Sequence, residues 1–235
     1  MLVACVEPAE SPPPEARPGA PLSGAELAAE QQCNRCHEAP GLLEPLPAER
    51  SCVGCHQDLL AGALDATYTP EAMARWKQNI HSLVRVPSLV GASRLQRQWV
   101  VDYLEAPNDL RPGLDAMMPR LALSRAEREA LADWLGGVDS PDPVLTAPDP
   151  VLTAGSLERG LALMRERGCG SCHAFTGTAF IGAAADPMAP DLRFARDRLG
   201  PLTLAAWLED PKALKADTTM PRPALDEGER AEVVQ

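Results

Sequence analysis

One five-residue pattern occurs three times in this 235-residue chain and constrains it more than anything else. The copies are Cys33-Asn34-Arg35-Cys36-His37, Cys52-Val53-Gly54-Cys55-His56 and Cys169-Gly170-Ser171-Cys172-His173. The chain has 7 Cys and 4 His in all, so only Cys5 and His81 lie outside the three copies. Whatever the fold, it must present paired thiols with an adjoining imidazole at three places.

Cys-x-x-Cys-His is the attachment signature of c-type haem. Two thiols three positions apart on one turn of backbone reach the two vinyl groups of one porphyrin and form thioethers. The next residue then offers its imidazole to the iron. Two other chemistries use Cys-x-x-Cys. A zinc site would pair the first two motifs and strand the third. A thioredoxin-like dithiol does not require His at the same offset three times. The pattern therefore predicts three covalently bound haem c groups, on Cys33, Cys36, Cys52, Cys55, Cys169 and Cys172, with His37, His56 and His173 as proximal ligands. The composition agrees. With 4 Trp, 3 Phe and 2 Tyr there is little aromatic volume for a core of this length, and a large flat apolar group would supply it.

Each iron of an electron carrier needs a second axial ligand, usually Met or His. Only His81 remains among the histidines. Two methionines share a repeated context, Met118-Pro119-Arg120-Leu121-Ala122-Leu123 and Met220-Pro221-Arg222-Pro223-Ala224-Leu225. A Pro-braced thioether reaches iron with little entropy left to lose. The expected distal ligands are thus His81, Met118 and Met220. Met117 could compete with its neighbour, and the helical spacing of Met164 with Leu161 predicts a core side chain.

The repeat is longer than the motif. Pro87-Ser88-Leu89 matches Pro190-Asp191-Leu192, and Tyr103-Leu104-Glu105-Ala106-Pro107 matches Trp207-Leu208-Glu209-Asp210-Pro211. After each Met-Pro segment, Glu127-Arg128 matches Glu229-Arg230. In this order of landmarks the chain resembles two class I cytochrome c domains. The resemblance implies a mostly α fold: a dihaem domain over 22–137, with an inserted second haem, and a monohaem domain over 156–235. It further implies that His173 and Met220 ligate one iron and that the Pro190 carbonyl braces His173. For the first domain Ser23 to Glu30 reads as a capped helix entering Cys33, which pairs His37 with Met118 and His56 with His81. The swapped pairing, His37 with His81 and His56 with Met118, remains open. In this family the closing helix packs on the first helix. The second copy stops about two residues earlier in register, so the C-terminus reads as cut short.

Apolar spacing predicts helices over 94–105, 124–136, 156–168 and 202–209, and no strand. Residues 138–155, with Asp142-Pro143-Val144-Leu145-Thr146-Ala147 repeated as Asp149 to Ala154, read as a semi-extended linker, predicting halves that are tethered rather than fused. Residues 1–21 read as a tether. Leu2-Val3-Ala4-Cys5 resembles a lipobox, making Cys5 a candidate lipidation site, and with no signal peptide before it the start reads as either misplaced or trimmed.

With 22 basic against 33 acidic residues the net charge is -11. That balance argues against nucleic acid as a partner. It suits a basic patch on a redox protein, with steering that salt screens. The resemblance implies haem attachment after export, hence the periplasm or the outer face of a membrane, and an electron carrier or the haem-bearing subunit of a respiratory or photosynthetic complex. The alternative is a haem enzyme, peroxidase-like or acting on sulfur or nitrogen compounds, with one iron left open.

Overall fold

The computed structural model describes residues 21–44, 46–47, 50–80, 86–112, 114–137, 154–178 and 189–235. Among these the chain is helical, with one isolated antiparallel bridge and no sheet. No described helix is long and apolar enough to cross a membrane. His81, Cys5, residues 1–20 and most of the linker lie outside the described residues.

In the first half, α1 (Gly24–Glu30) begins at Ser23, whose hydroxyl accepts the Glu26 amide while the Glu26 carboxylate accepts the Ser23 amide. This reciprocal cap satisfies two amides that a helix start leaves unpaired. Two helices of the insertion follow, α2 (Cys52–Ala61) and α3 (Pro70–Asn79). The core is completed by α4 (Arg97–Glu105) and α5 (Arg125–Gly136), the latter capped by Ser124 and Glu127 in the same reciprocal way. Leu27, Val100, Val101, Leu104, Leu123, Leu131 and Leu135 form one buried cluster with Ala28, Ala92 and Ala132. Helix α1 lies across α5. Gly24 makes that crossing close: a Cβ there would sit 2.3 Å from the Ala130 carbonyl oxygen.

The second half repeats this plan with α6 (Ala154–Glu166), the short α7 (Ala195–Arg198), α8 (Pro201–Glu209), α9 (Pro211–Leu214) and α10 (Glu227–Val234). Helix α6 packs on α10. Gly160 stands where Gly24 does, its Cβ position 2.7 Å from the Glu232 carbonyl oxygen. Asp226 and Glu229 cap α10 as Ser124 and Glu127 cap α5. Even the arginine after each cap is reused: Arg128 donates to the Leu123 carbonyl and Arg230 to the Leu225 carbonyl, each at 3.0 Å. The predicted helices fall within two or three residues of those observed. Met164 is buried, as its helical spacing predicts.

The tethered arrangement expected from the linker is not what the described residues adopt. The two halves meet along the segment that precedes α4 in one and α8 in the other. Leu95 and Leu199, equivalent in the repeat, pair as the antiparallel bridge. The Gln96 amide donates to the Arg198 carbonyl at 2.9 Å, and the Asp191 amide to the Leu110 carbonyl at 2.7 Å. Arg94 Nη1 donates to the Leu214 carbonyl at 2.5 Å. Leu95 and Leu199 each also bond within their own half, the Leu95 amide to the Ala92 carbonyl and the Leu199 amide to the Ala195 carbonyl, so the pseudo-twofold seam is held by the neighbouring groups of two equivalent segments.

The turn carrying Leu110 is held by Asp109, whose carboxylate accepts from the Arg111 amide at 2.9 Å and from Arg111 Nε at 2.7 Å. These bonds hold the Asp109 carboxyl below the usual carboxylate range. A depressed folded pKa stabilises above the unfolded value of about 3.9 and is lost as pH falls through the folded one. Asp109→Asn should therefore speed hydrogen exchange of the Asp191 amide about fivefold at neutral pH, the equivalent of about 1 kcal/mol. The two proteins should converge as pH drops below the carboxylate range. A pH-independent difference would contradict this.

Candidate functional site

The first and third Cys-x-x-Cys-His motifs are built alike. Gln32 (φ 53°) and Gly168 (φ 72°) precede them in the left-handed conformation. Gln32 is the only described non-glycine residue with positive φ. The chain then closes a tight 3-10 turn, Cys33–Arg35 in one and Cys169–Ser171 in the other. The His37 amide donates to the Cys33 carbonyl and the His173 amide to the Cys169 carbonyl, each at 2.9 Å. Left-handed entry ends the preceding helix and turns both thiols and the imidazole away from it.

Each imidazole is then fixed by a distant proline. His37 Nδ1 lies 2.8 Å from the Pro87 carbonyl, and His173 Nδ1 lies 2.8 Å from the Pro190 carbonyl. A carbonyl oxygen only accepts, so Nδ1 carries the proton and Nε2 keeps its lone pair for a metal. Burial lowers the His37 pKa, against the opposing pull of its bond to Pro87, and so favours the neutral ring a ligand requires. The loop with each proline is pinned beside its histidine. The Leu89 amide donates to the Glu38 carbonyl at 2.8 Å, and the Leu192 amide to the Ala174 carbonyl at 2.9 Å.

The second motif is different. Cys52, Cys55 and His56 lie in the first turns of α2, which Ser51 caps by accepting the Gly54 amide at 3.0 Å. Positions one, four and five of a helix share a face, so the two thiols and the imidazole still point one way. It is His37, and not His56, that meets Pro87. The Cys52 thiol lies close enough to Cys36 to help raise its pKa, after burial, which puts the first two motifs side by side. Asn34 donates to the Glu44 carbonyl at 2.6 Å and so ties the first motif to the connecting loop.

Met118 packs against the first-half core together with Cys33 and Trp99. Tyr103 stacks on Trp99 with ring centroids 4.8 Å apart. In the second half the matching aromatic, Trp207, donates its indole N–H to Met220 Sδ at 3.1 Å. All six motif cysteines are free thiols, and burial raises the pKa of Cys33, Cys36 and Cys169, which keeps them protonated and unreactive to bulk solvent. No cluster of three or more His, Cys, Asp or Glu converges among the described residues, so the four-cysteine zinc arrangement is not formed there.

The residues present fit a covalently held porphyrin. Each motif supplies two free thiols and an adjoining imidazole, and in two of the three the Nδ1–carbonyl bond leaves Nε2 available to a metal. Sequence reasoning missed Gly24, Gly160 and the left-handed Gln32. Aligning the first and third motifs would have exposed the two glycines, since they hold the same place in both copies. Set against models of protein families, curated proteins and solved structures, the chain matches none.

Proposed function

We propose that the chain is a three-haem electron carrier built from two cytochrome c-like halves. The observation that carries this reading is the recurrence of one ligand geometry, His37 on Pro87 and His173 on Pro190, each after a free-thiol pair. Cys33, Cys36 and His37 would hold the first haem, with Met118 as the candidate second ligand. Cys169, Cys172 and His173 would hold the third, with Met220 as the candidate second ligand. Cys52, Cys55 and His56 hold the second, for which His81 is the remaining candidate distal ligand. When bound, haem supplies a one-electron iron couple. The protein fixes the His37 and His173 imidazoles through backbone carbonyls, so these two rings are held in one orientation. The adjoining Cys36 and Cys52 support close spacing of the first two haems.

Methionine opposite histidine raises potential relative to two histidines. Two higher-potential centres and one lower are therefore expected, working outside the cytoplasm. The acidic surface faces a basic redox partner, and a lipid on Cys5 would hold the relay at a membrane. The test is a haem count on purified mature protein by pyridine haemochrome and intact mass, followed by a redox titration. Three covalent haems with unequal midpoints are expected. Colourless protein, or zinc in place of iron, would end the proposal.

Trp207 gives a finer test. A donor on the Met220 sulfur draws electron density from it and favours reduced iron. Trp207→Phe should lower one midpoint by roughly 20–45 mV, the equivalent of about 0.5–1 kcal/mol for a one-electron couple. The other two should stay put. No change would mean that Met220 is not a ligand.

A further inference from the structure

The seam between the halves carries a positive charge that no carboxylate of the described residues answers. Arg198 sits at the C-terminal end of α7 in the second half, yet its guanidinium lies over the Trp99 ring of the first half, 5.6 Å from the centroid. Its Nε is buried with no hydrogen-bond partner. Among the described residues no carboxylate pairs with it, although the chain has 33 acidic side chains. Arg94, the equivalent residue of the first half, reaches across the same seam in the opposite direction to the Leu214 carbonyl. Two guanidinium groups thus approach each other where the pseudo-twofold brings equivalent residues together. Arginine does not shed its proton in a protein. Arg198 is half-buried, and an enclosed Nε–H with no acceptor costs free energy, so an acceptor belongs beside it and an anion suits the charge.

The position says which anion. Trp99 packs on the same cluster as Cys33 and Met118, so the ring under Arg198 is part of the first half's site wall. Tyr103, stacked on Trp99, is the counterpart of the Trp207 that bonds Met220. We infer that Arg198 of the second half, with Arg94 beside it, binds a propionate carboxylate of the haem held by the first half. The inference rests on the haem reading above and extends it: one half supplies the counter-charge for the other's cofactor. Arg198 is then a positioning residue that raises the potential of the first haem and makes that potential depend on docking. The stacked ring shields the ion pair from water and strengthens it.

The experiment is a redox titration of the full, haem-loaded chain carrying Arg198→Gln, with haem content measured on the same sample. Arg193→Gln is the control, since Arg193 lies over Phe194 of its own half with its guanidinium already near Asp191. Three haems with one midpoint lowered, two unchanged, and a silent Arg193→Gln are expected. Arg198→Lys keeps the charge and loses the planar fork, so the same midpoint should move less; it serves alone if the Gln variant does not fold. Three haems with no midpoint moved by either variant would overturn the inference and leave the carrier reading standing. All three midpoints moving together would overturn it too, as a general loosening. A wild-type midpoint that shifts with added phosphate at constant ionic strength would mean that a free anion fills the seam. Fewer than three haems in the wild type would instead count against the carrier reading itself.

Discussion

Cys169→Ala with Cys172→Ala should remove one third of the haem and unfold the second half with it. Without thioethers, the proposed ligands His173 and Met220 would offer only coordination bonds, which do not survive the denaturing conditions of a haemochrome assay. The structural cost follows from how little apolar surface this half buries by itself. Met164, Leu225 and Pro211 are its buried apolar side chains among the described residues, while Ser156, Asp191 and Thr203 are buried polar ones. Leu157 and Leu202 stay exposed, at 53% and 37%. A fully buried Leu or Met contributes about 1.5–3 kcal/mol, which two such residues cannot raise to the usual net stability of a domain. The first half differs, with a contiguous cluster of ten buried residues. Cys33→Ala with Cys36→Ala should thus also lose one haem but leave a protease-resistant first half. Limited proteolysis with haem counting separates the two cases. Equal resistance in both double variants would show that the haem is not the missing core of the second half.

Gly24→Ala should destabilise the first half by about 2 kcal/mol, even though alanine is the better helix former by about 1 kcal/mol. The helix gains that propensity and loses the crossing. The new Cβ would lie 2.3 Å from both the Ala130 carbonyl oxygen and Trp134 Cβ. Neither is the end of a flexible side chain, so α1 must move off α5. Overpacking of this kind typically costs 1–3 kcal/mol, and here separation also uncovers Leu27, which is 0% exposed. Gly160→Ala meets a single carbonyl at 2.7 Å and should cost less. Denaturant unfolding followed by tryptophan fluorescence measures both. A Gly24→Ala protein more stable than wild type would mean that the helices cross further apart than described.

The pair of glycines also marks where a reading of residues alone runs out. Gly24 sits inside a segment legible as a capped helix, and its own letter says only that the helix is weakened. That it is a contact point depends on α5, more than a hundred residues away. The same holds for Gln32, an ordinary polar residue until the tight turn requires positive φ of it. The seam was illegible for a related reason. A proline-rich linker specifies reach, whereas docking is made by groups far apart in the chain, the Gln96 amide on the Arg198 carbonyl and the Asp191 amide on the Leu110 carbonyl.

What the order of residues determined by itself was local and chemical. Spacing of Cys and His, the Met-Pro segments, the caps at Ser23 and Ser124, and the helical periodicity all act within a few residues, where bond lengths and the 3.6-residue turn leave few choices. Tertiary structure alone decided that His37, and not His56, meets Pro87, fifty residues on. It alone carried Arg198 out of its own half to lie over Trp99. Such pairings depend on which surfaces bury each other once the helices pack, and one-dimensional spacing does not encode that.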